Sequence, residues 1–428
     1  MTSAAPSDIG SSRVPSRRVA TWALISLAVG SFGIGMTEFV IMGLLPEIAR
    51  DLLPSVWANS PDDAIAQAGW LISLYALGVV VGAPTISGLV ARFPRNRVIV
   101  ALAAALTLFT VLTVIAPTFE LVALSRFCAG LPHGAFFGMG ALIAADVLGP
   151  GKRAKGVAIV LMGLTVANVV GVPVGTFLGQ ASGWRLAFLV VAAIFAAGTV
   201  MVWVFVPAHT GDAGRTFRAE LAVFRIGQVW LTLAIGAIGF GGFFAVYSYI
   251  SPLVTEISGS PLWVVPIVLV VMGVGMTVGN LLGGVLADKN LRATLIGGLA
   301  VLVVVQALLA ATAAYIVPLI VFIFLIGVAS AVTSPAIQTR LMDVAGDNQA
   351  IAAALNHSAL NIGNSLGAAL GGVVIALGWG FVMPSWVGAA LAALGVGIAV
   401  VAFALESRSA ASDRRTLPEP ATGSTVLR

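Results

Sequence analysis

Residues 21–45 read TWALISLAVGSFGIGMTEFVIMGLL, a run whose one ionisable side chain is Glu38. A hydrocarbon core about 30 Å thick needs about 20 apolar residues per helix, so this run predicts a membrane span. Comparable runs begin near Gly69, Val98, Leu121, Gly156, Arg185, Ile226, Trp263, Ala293, Tyr315, Ala350 and Met383. Together they predict an all-α membrane protein of twelve spans. Composition agrees: 9% of residues are charged, 59% are hydrophobic and mean hydropathy is +1.06. A soluble fold would need polar helix faces, and most of these segments are apolar all round.

The net charge of +5 would suit nucleic acid if the basic residues formed a patch, but they follow the membrane instead. Arg13, Arg17 and Arg18 precede span 1; Arg92, Arg95 and Arg97 lie between spans 2 and 3; Lys152, Arg153 and Lys155 lie between spans 4 and 5. Arg215, Arg218 and Arg225 follow span 6, Lys289 and Arg292 follow span 8, and Arg408, Arg414, Arg415 and Arg428 end the chain. The opposite loops carry Glu47, Asp51, Asp62, Asp63 and Glu120. By the positive-inside rule both termini are expected in the cytoplasm of a multi-pass protein of the cell (inner) membrane, with no nucleic-acid partner. The first apolar run is too long for a signal-peptide core, so it stays as span 1. Cys128 is the single cysteine, which rules out an intramolecular disulfide and a cysteine metal cluster.

The expected organisation is a disordered cytoplasmic tail over 1–18, a six-helix half over 19–207, a cytoplasmic loop over 208–225, a second six-helix half over 226–406 and a disordered tail over 407–428. The stretch from Gly78 through Gly82 to Arg95 is like that from Gly275 through Gly279 to Arg292, at a constant offset of 197. Asn168 in span 5 corresponds to Asn361 in span 11, there at an offset of 193. Such a duplication predicts two like-oriented halves with a binding site between them near the midplane. Small residues every four positions let membrane helices approach closely. Gly134 and Gly138 in span 4, Gly171, Gly175 and Gly179 in span 5, and Gly363, Gly367 and Gly371 in span 11 fit that role.

Four stretches carry a resemblance: Gly35–Pro46 (GMTEFVIMGLLP), Tyr75–Pro84 (YALGVVVGAP), Arg126–Gly138 (RFCAGLPHGAFFG) and Asn168–Thr176 (NVVGVPVGT). The chain resembles the major facilitator superfamily, in its drug:proton antiporter group, and within that the arabinose-efflux-type permeases. The resemblance implies a major facilitator fold and export of a small molecule, a sugar or an amphiphilic drug-like compound, by alternating-access antiport against protons. It also implies that Gly171, Pro173 and Gly175 are a loose form of the bending motif of span 5. In the loop after span 2 the family's acid is replaced by Arg92, while the second half keeps one, Asp288. A gating latch is then expected from Arg92 or Arg95 with Asp146.

An acid well inside a span costs about 2.5 to 3.5 kcal/mol on insertion scales, which makes Glu38 the first candidate for proton and substrate handling. Arg126 is its expected partner, and the resemblance gives that arginine a part in proton coupling. His133 lies two helical turns further along the same face, about 10 Å, and completes the expected proton-coupling set. His357, with Asn356, Asn361 and Asn364 nearby, is either a packing group or part of a polar site. Substrate is expected against Glu38, Phe136, Phe137, Asn168, Phe243, Tyr247 and Asn361, within an aromatic surface that includes Phe240, Phe244 and Tyr249. No metal or cofactor is expected, because three histidines far apart form no ligand set. No nucleophile elbow, Walker loop or paired-histidine motif is present, so enzyme chemistry is not expected. The remaining alternatives are a facilitator or importer of a sugar or nucleoside, and a non-transporting sensor or scaffold. Partners are a small-molecule substrate, protons and the bilayer, with a monomer expected.

Overall fold

The computed structural model describes residues 17–90, 92–149, 153–208, 221–345 and 349–416. Among these, all regular structure is helical. The spans are Arg17–Gly43 (span 1), Pro61–Val90 (2), Arg95–Ile115 (3), Phe119–Leu148 (4), Ala158–Ser182 (5) and Trp184–Phe205 (6). Gly227–Ser248 (7), Ile316–Ala345 (10), Leu355–Trp379 (11) and Met383–Arg408 (12) follow. The remaining helix, Val264–Thr312, is two spans: Asn290 leaves helical geometry (φ −158°, ψ 91°), and its side chain accepts from the Ala293 amide at 3.0 Å to start span 9. The protein is therefore an all-α membrane protein with twelve spans. Residues 1–16, 209–220 and 417–428, which hold most of the expected tails and central loop, lie outside the described residues. One expectation fails: the last helix runs Met383–Thr416, so the chain just after Glu406 is helical rather than disordered. Alanine and arginine are strong helix formers, which favours continuing the helix past the end of the span.

Local chemistry sets where spans begin. The Ser60 side chain accepts from the Asp63 amide and Pro61 occupies the first helical turn, which starts span 2. Thr118 does the same for span 4 through the Leu121 amide. Gly183, at φ +95°, makes the tight reversal from span 5 into span 6, a conformation a side chain would strain. Span 5 takes a π-helical turn at Ala167–Gly171 just before Pro173, where the ring removes a backbone donor. Span 7 takes a π-helical turn at Ile235–Gly239, and a break at Tyr249 separates its end from the helical turns Ile250–Pro252 and Leu253–Ile257.

Large apolar side chains turned outward, such as Trp203, Leu281 and Leu89, are more than two-thirds exposed, as a surface solvated by lipid tails requires. Inside, glycine lets backbones touch, and it does so twice in the same way. Gly78 and Gly82 of span 2 press on the Phe127 and Leu131 carbonyls of span 4; Gly275 and Gly279 of span 8 press on the Phe324 and Val328 carbonyls of span 10. Each partner pair keeps the offset of 197 found in the sequence. Gly363, Gly367 and Gly371 of span 11 pack on span 7. In span 4 Gly134 meets Ala83 of span 2, but Gly138 faces open space and packs on nothing.

The spans place Arg17, Arg95 and Arg225 on one face of the bundle and Glu47, Asp51 and Asp62 on the other, here the basic and acidic faces. On the acidic face Arg185 is ion-paired with Asp51, which also accepts from the Trp184 indole at 2.9 Å, and it donates to the Val114 and Ala116 carbonyls. On the basic face Arg95 is ion-paired with Asp146, and Arg340 bridges Glu406 at 2.9 Å and Gln228 at 3.2 Å. Each of these clusters ties helices within the first six spans or within the last six.

Candidate functional site between the two halves

Glu38 is 6% exposed, about 8 Å along the helix from the end of span 1 at Gly43. Its Oε1 accepts a hydrogen bond from Asn364 Nδ2 of span 11 at 3.1 Å, a contact between the first six spans and the last six. Next to it in sequence, Thr37 turns into the first half and its hydroxyl accepts from Arg126 Nη1 at 3.0 Å.

Arg126 therefore does not ion-pair with Glu38, although the sequence pointed to that pair. Its guanidinium lies over the Tyr75 ring, with Cζ 4.2 Å from the centroid, and near Phe188 at 5.5 Å. Ring faces hold the charge where a carboxylate was expected. The Nε and Nη2 atoms have no hydrogen-bond partner. His133 is also buried, and its Nδ1 is 3.0 Å from the Tyr75 hydroxyl.

The aromatic residues divide by role. Phe39 of span 1 stacks across the interface on Tyr247 at 5.5 Å and Phe244 at 6.5 Å. Phe243 packs against Tyr247 and Phe240 inside the second half. Phe137 stacks on His357 of span 11 at 5.2 Å with rings 4° from parallel, closing the interface on the basic side of Glu38. Phe136 instead points into the first half, against Gly30 of span 1, and lines no interface. Asn168 lies where spans 5 and 8 touch: its carbonyl fills the notch at Gly273, and its Oδ1 has no partner. Asn361 donates to the His357 carbonyl of its own helix and also keeps an unpartnered Oδ1.

The residues expected to gate are not grouped. Gly171 and Gly175 face Met36 and Val40 of span 1, inside one half, while Pro173 borders an apolar crevice of about 280 Å³ toward Trp263 and Pro266 of span 8. Of the two arginines proposed for a latch, Arg95 reaches Asp146 and Arg92 lies over Phe93. Asp288 lies at the basic end of span 8, exposed, two residues before the break at Asn290.

Toward the acidic face the halves are sealed. The Ser73 hydroxyl of span 2 donates to the Ser365 carbonyl of span 11 at 3.1 Å. Tyr249, at the break in span 7, donates to the Ala368 carbonyl at 2.7 Å, and its hydroxyl sits in a notch formed by Gly69 of span 2 and Gly372 of span 11. Sequence reading missed Tyr75, Phe39 and Tyr249 as structural partners and gave Asn364 no definite role. Tyr75 and Phe39 were visible only as members of the quoted YALG and GMTEF stretches, and Tyr249 only as one ring of the expected aromatic surface.

A sequence profile of the Major Facilitator Superfamily matches residues 27–348 and, in an overlapping match, 264–427. The chain belongs to the Major Facilitator Superfamily. Inner membrane transport protein YdhP of Escherichia coli strain K12 is 40% identical over 87% of this chain and 93% of its own length. AraJ of the same strain is 33% identical over 83% and 88%. A chloramphenicol resistance protein of Streptomyces lividans is 29% identical over 88% and 95%. Among solved structures, the human organic anion transporter MFSD10 shares the fold with a TM-score of 0.66 at 15% identity, covering 90% of this chain and 99% of that one. The protein is a multi-pass membrane transporter of this superfamily.

Proposed function

We propose that the protein is a proton-coupled secondary transporter that exports a small molecule, a sugar or an amphiphilic drug-like compound, by alternating-access antiport. The observation that carries this reading is Glu38, an acid buried inside a span and hydrogen-bonded across the two halves to Asn364. An ionisable group at membrane depth marks a coupling site by default. Here one proton on or off the carboxyl changes what it offers to the opposite half. The relative named for chloramphenicol resistance supports export over uptake.

The six-helix halves over 19–207 and 226–406 act as the moving units, and the protein works as a monomer in the cell membrane. With both termini cytoplasmic by the positive-inside rule, the sealed acidic face is the outer face. Substrate enters from the cytoplasm and displaces Asn364 from the deprotonated Glu38; outside, a proton takes the carboxyl and substrate leaves. Each proton brings about 1.4 kcal/mol per pH unit. Each net charge moved inward adds about 2.3 kcal/mol per 100 mV.

The test is proton release from purified protein, followed with a pH dye on adding L-arabinose, a nucleoside, chloramphenicol or a quaternary ammonium compound, in wild type and Glu38→Gln. Release evoked by one compound and lost in the variant is the expected result. Binding with no release in wild type would make the protein a facilitator, and release retained in Glu38→Gln would move the coupling site elsewhere.

A further inference from the structure

The duplicated packing of the two halves supplies an internal control on the residues around Arg126. Gly130 of span 4 presses on the Tyr75 carbonyl of span 2, and Gly327 of span 10 presses on the Met272 carbonyl of span 8. The offset of 197 also carries Arg126 to Ile323 and His133 to Ser330. The same helix crossing is thus built once around Tyr75, Arg126 and His133, and once around Met272, Ile323 and Ser330. The second version closes without a phenol, a guanidinium or an imidazole, its one hydroxyl, on Ser330, being turned back onto the Gly327 carbonyl of its own helix at 3.0 Å, so packing of the crossing does not require those three groups.

In the first half those three groups are joined through Tyr75, which is 1% exposed. Its ring face carries the Arg126 guanidinium at 4.2 Å, and its hydroxyl shares a hydrogen bond with His133 Nδ1 at 3.0 Å. Arg126 makes one side-chain hydrogen bond, to Thr37, and two of its nitrogens have no hydrogen-bond partner, so the ring is a main anchor of that charge. The titratable or charged groups facing His133 are Tyr75 on span 2, Arg126 on its own span and His357 on span 11, which His133 reaches across the Phe137 ring. Glu38 on span 1 lies beside the Thr37 that holds Arg126.

We propose that Tyr75 is a positioning residue of the proton-handling site: its ring fixes the Arg126 charge beside Glu38, its hydroxyl fixes the His133 imidazole, and the two groups of span 4 respond as one unit. This rests on the reading of Glu38 as the proton carrier. Tyr75 itself neither gains nor loses a proton in the cycle.

Two substitutions separate the functions of the side chain. Tyr75→Phe keeps the ring under Arg126 and removes the hydroxyl, whereas Tyr75→Met installs the residue that the second half already accommodates and removes both. Full-length protein labelled with ¹⁵N-histidine in lipid nanodiscs is titrated with pH by NMR, the His133 signal being the one lost in His133→Gln. The carboxyl stretching band of Glu38, assigned by its loss in Glu38→Gln, is followed by infrared spectroscopy in the same series.

In Tyr75→Phe the His133 signal changes position and its titration midpoint moves by about half to one pH unit, the worth of one hydrogen bond, while the Glu38 band stays as in wild type. In Tyr75→Met both the His133 signal and the Glu38 band change. An unaltered His133 signal in Tyr75→Phe, beside a Glu38 band that titrates normally, overturns the role given to Tyr75 alone. A Glu38 band that does not titrate in wild type overturns the proton-carrier reading on which the role rests.

Discussion

Gly69→Ala should prop the outer seal open. A methyl group at this position would overlap the Tyr249 hydroxyl and stand 3.0 Å from its Cζ and 3.1 Å from the Ala66 carbonyl oxygen. The phenol cannot swing aside freely, because it donates to the Ala368 carbonyl at 2.7 Å and its ring is flanked by Gly371. Overpacking of this kind costs about 1–3 kcal/mol. Giving up the buried hydrogen bond to escape it costs about the same. The overlap with Tyr249, unlike the contact with Ala66 of the same span, exists only while the halves are closed on this face, so the outward-open population should rise by about 5- to 150-fold. The assay is labelling of Ser73→Cys, in a Cys128→Ala background, by a maleimide that cannot cross membranes. Ser73 lies one helical turn inward of Gly69 and is buried, so reagent reaches it from that face only when the seal parts. Labelling should accelerate in Gly69→Ala and fall back when Tyr249→Phe is added, since the overlapping oxygen is then gone. Equal labelling rates with and without Gly69→Ala would refute the seal, as would acceleration that Tyr249→Phe fails to reverse.

Asn364→Leu removes the donor to Glu38 without opening a large cavity; because that bond reaches an ionisable acceptor, exchange measured in proteoliposomes should slow by about tenfold or more. Arg95→Asp or Asp146→Arg should destabilise the fold by the small amount expected of a partly exposed pair, about 0.2–1 kcal/mol, read as a lowered thermal midpoint that the double swap restores. Glu47, on the short helix Leu45–Leu52 beyond span 1, has its pKa pushed up from the usual 4.5 to about 7 by burial. Between those values the folded protein holds a proton that the unfolded chain has released, so stability falls as pH rises through that window. Glu47→Gln should therefore raise the melting temperature above about pH 7 and leave it unchanged below pH 4.5, as read by differential scanning fluorimetry.

The spans were legible because hydrocarbon thickness sets a length that the sequence must meet, and the duplication because glycine has no substitute where backbones touch. Glu38 was legible as an acid that hydrocarbon does not tolerate without reason. Its partner was not. Residues 37 and 38 leave the helix about 100° apart, so one faces span 4 and the other span 11. Depth can be counted along the sequence, and on depth alone Arg126 and Glu38 belong together; azimuth depends on how neighbouring helices pack. The same gap explains the glycines of span 5, whose spacing announces a contact without saying with which helix. Gly138 shows the limit of the spacing rule itself, since it continues the stripe of Gly134 yet packs on nothing.

The division between Thr37 and Glu38 bears on what the proposed cycle asks of a substrate. Arg126, Thr37, Tyr75 and His133 all belong to the first half, and their contacts need not break when the halves part. The Glu38–Asn364 hydrogen bond joins the halves and cannot survive the separation at this depth. A carboxylate deprived of its donor in a dry interface is costly, so it must take a proton or meet another donor. A transported compound that keeps Glu38 deprotonated while the halves exchange has to bring that donor itself. Sugar hydroxyls, an amide N–H or an ammonium group can do so, and a purely apolar molecule cannot. The faces of Phe39, Phe244 and Tyr247 beside the site would accept a ring of either chemistry, so selection rests on the donor rather than on the aromatic surface. One proton and one donor group then compete for a single carboxyl, which is the condition antiport requires.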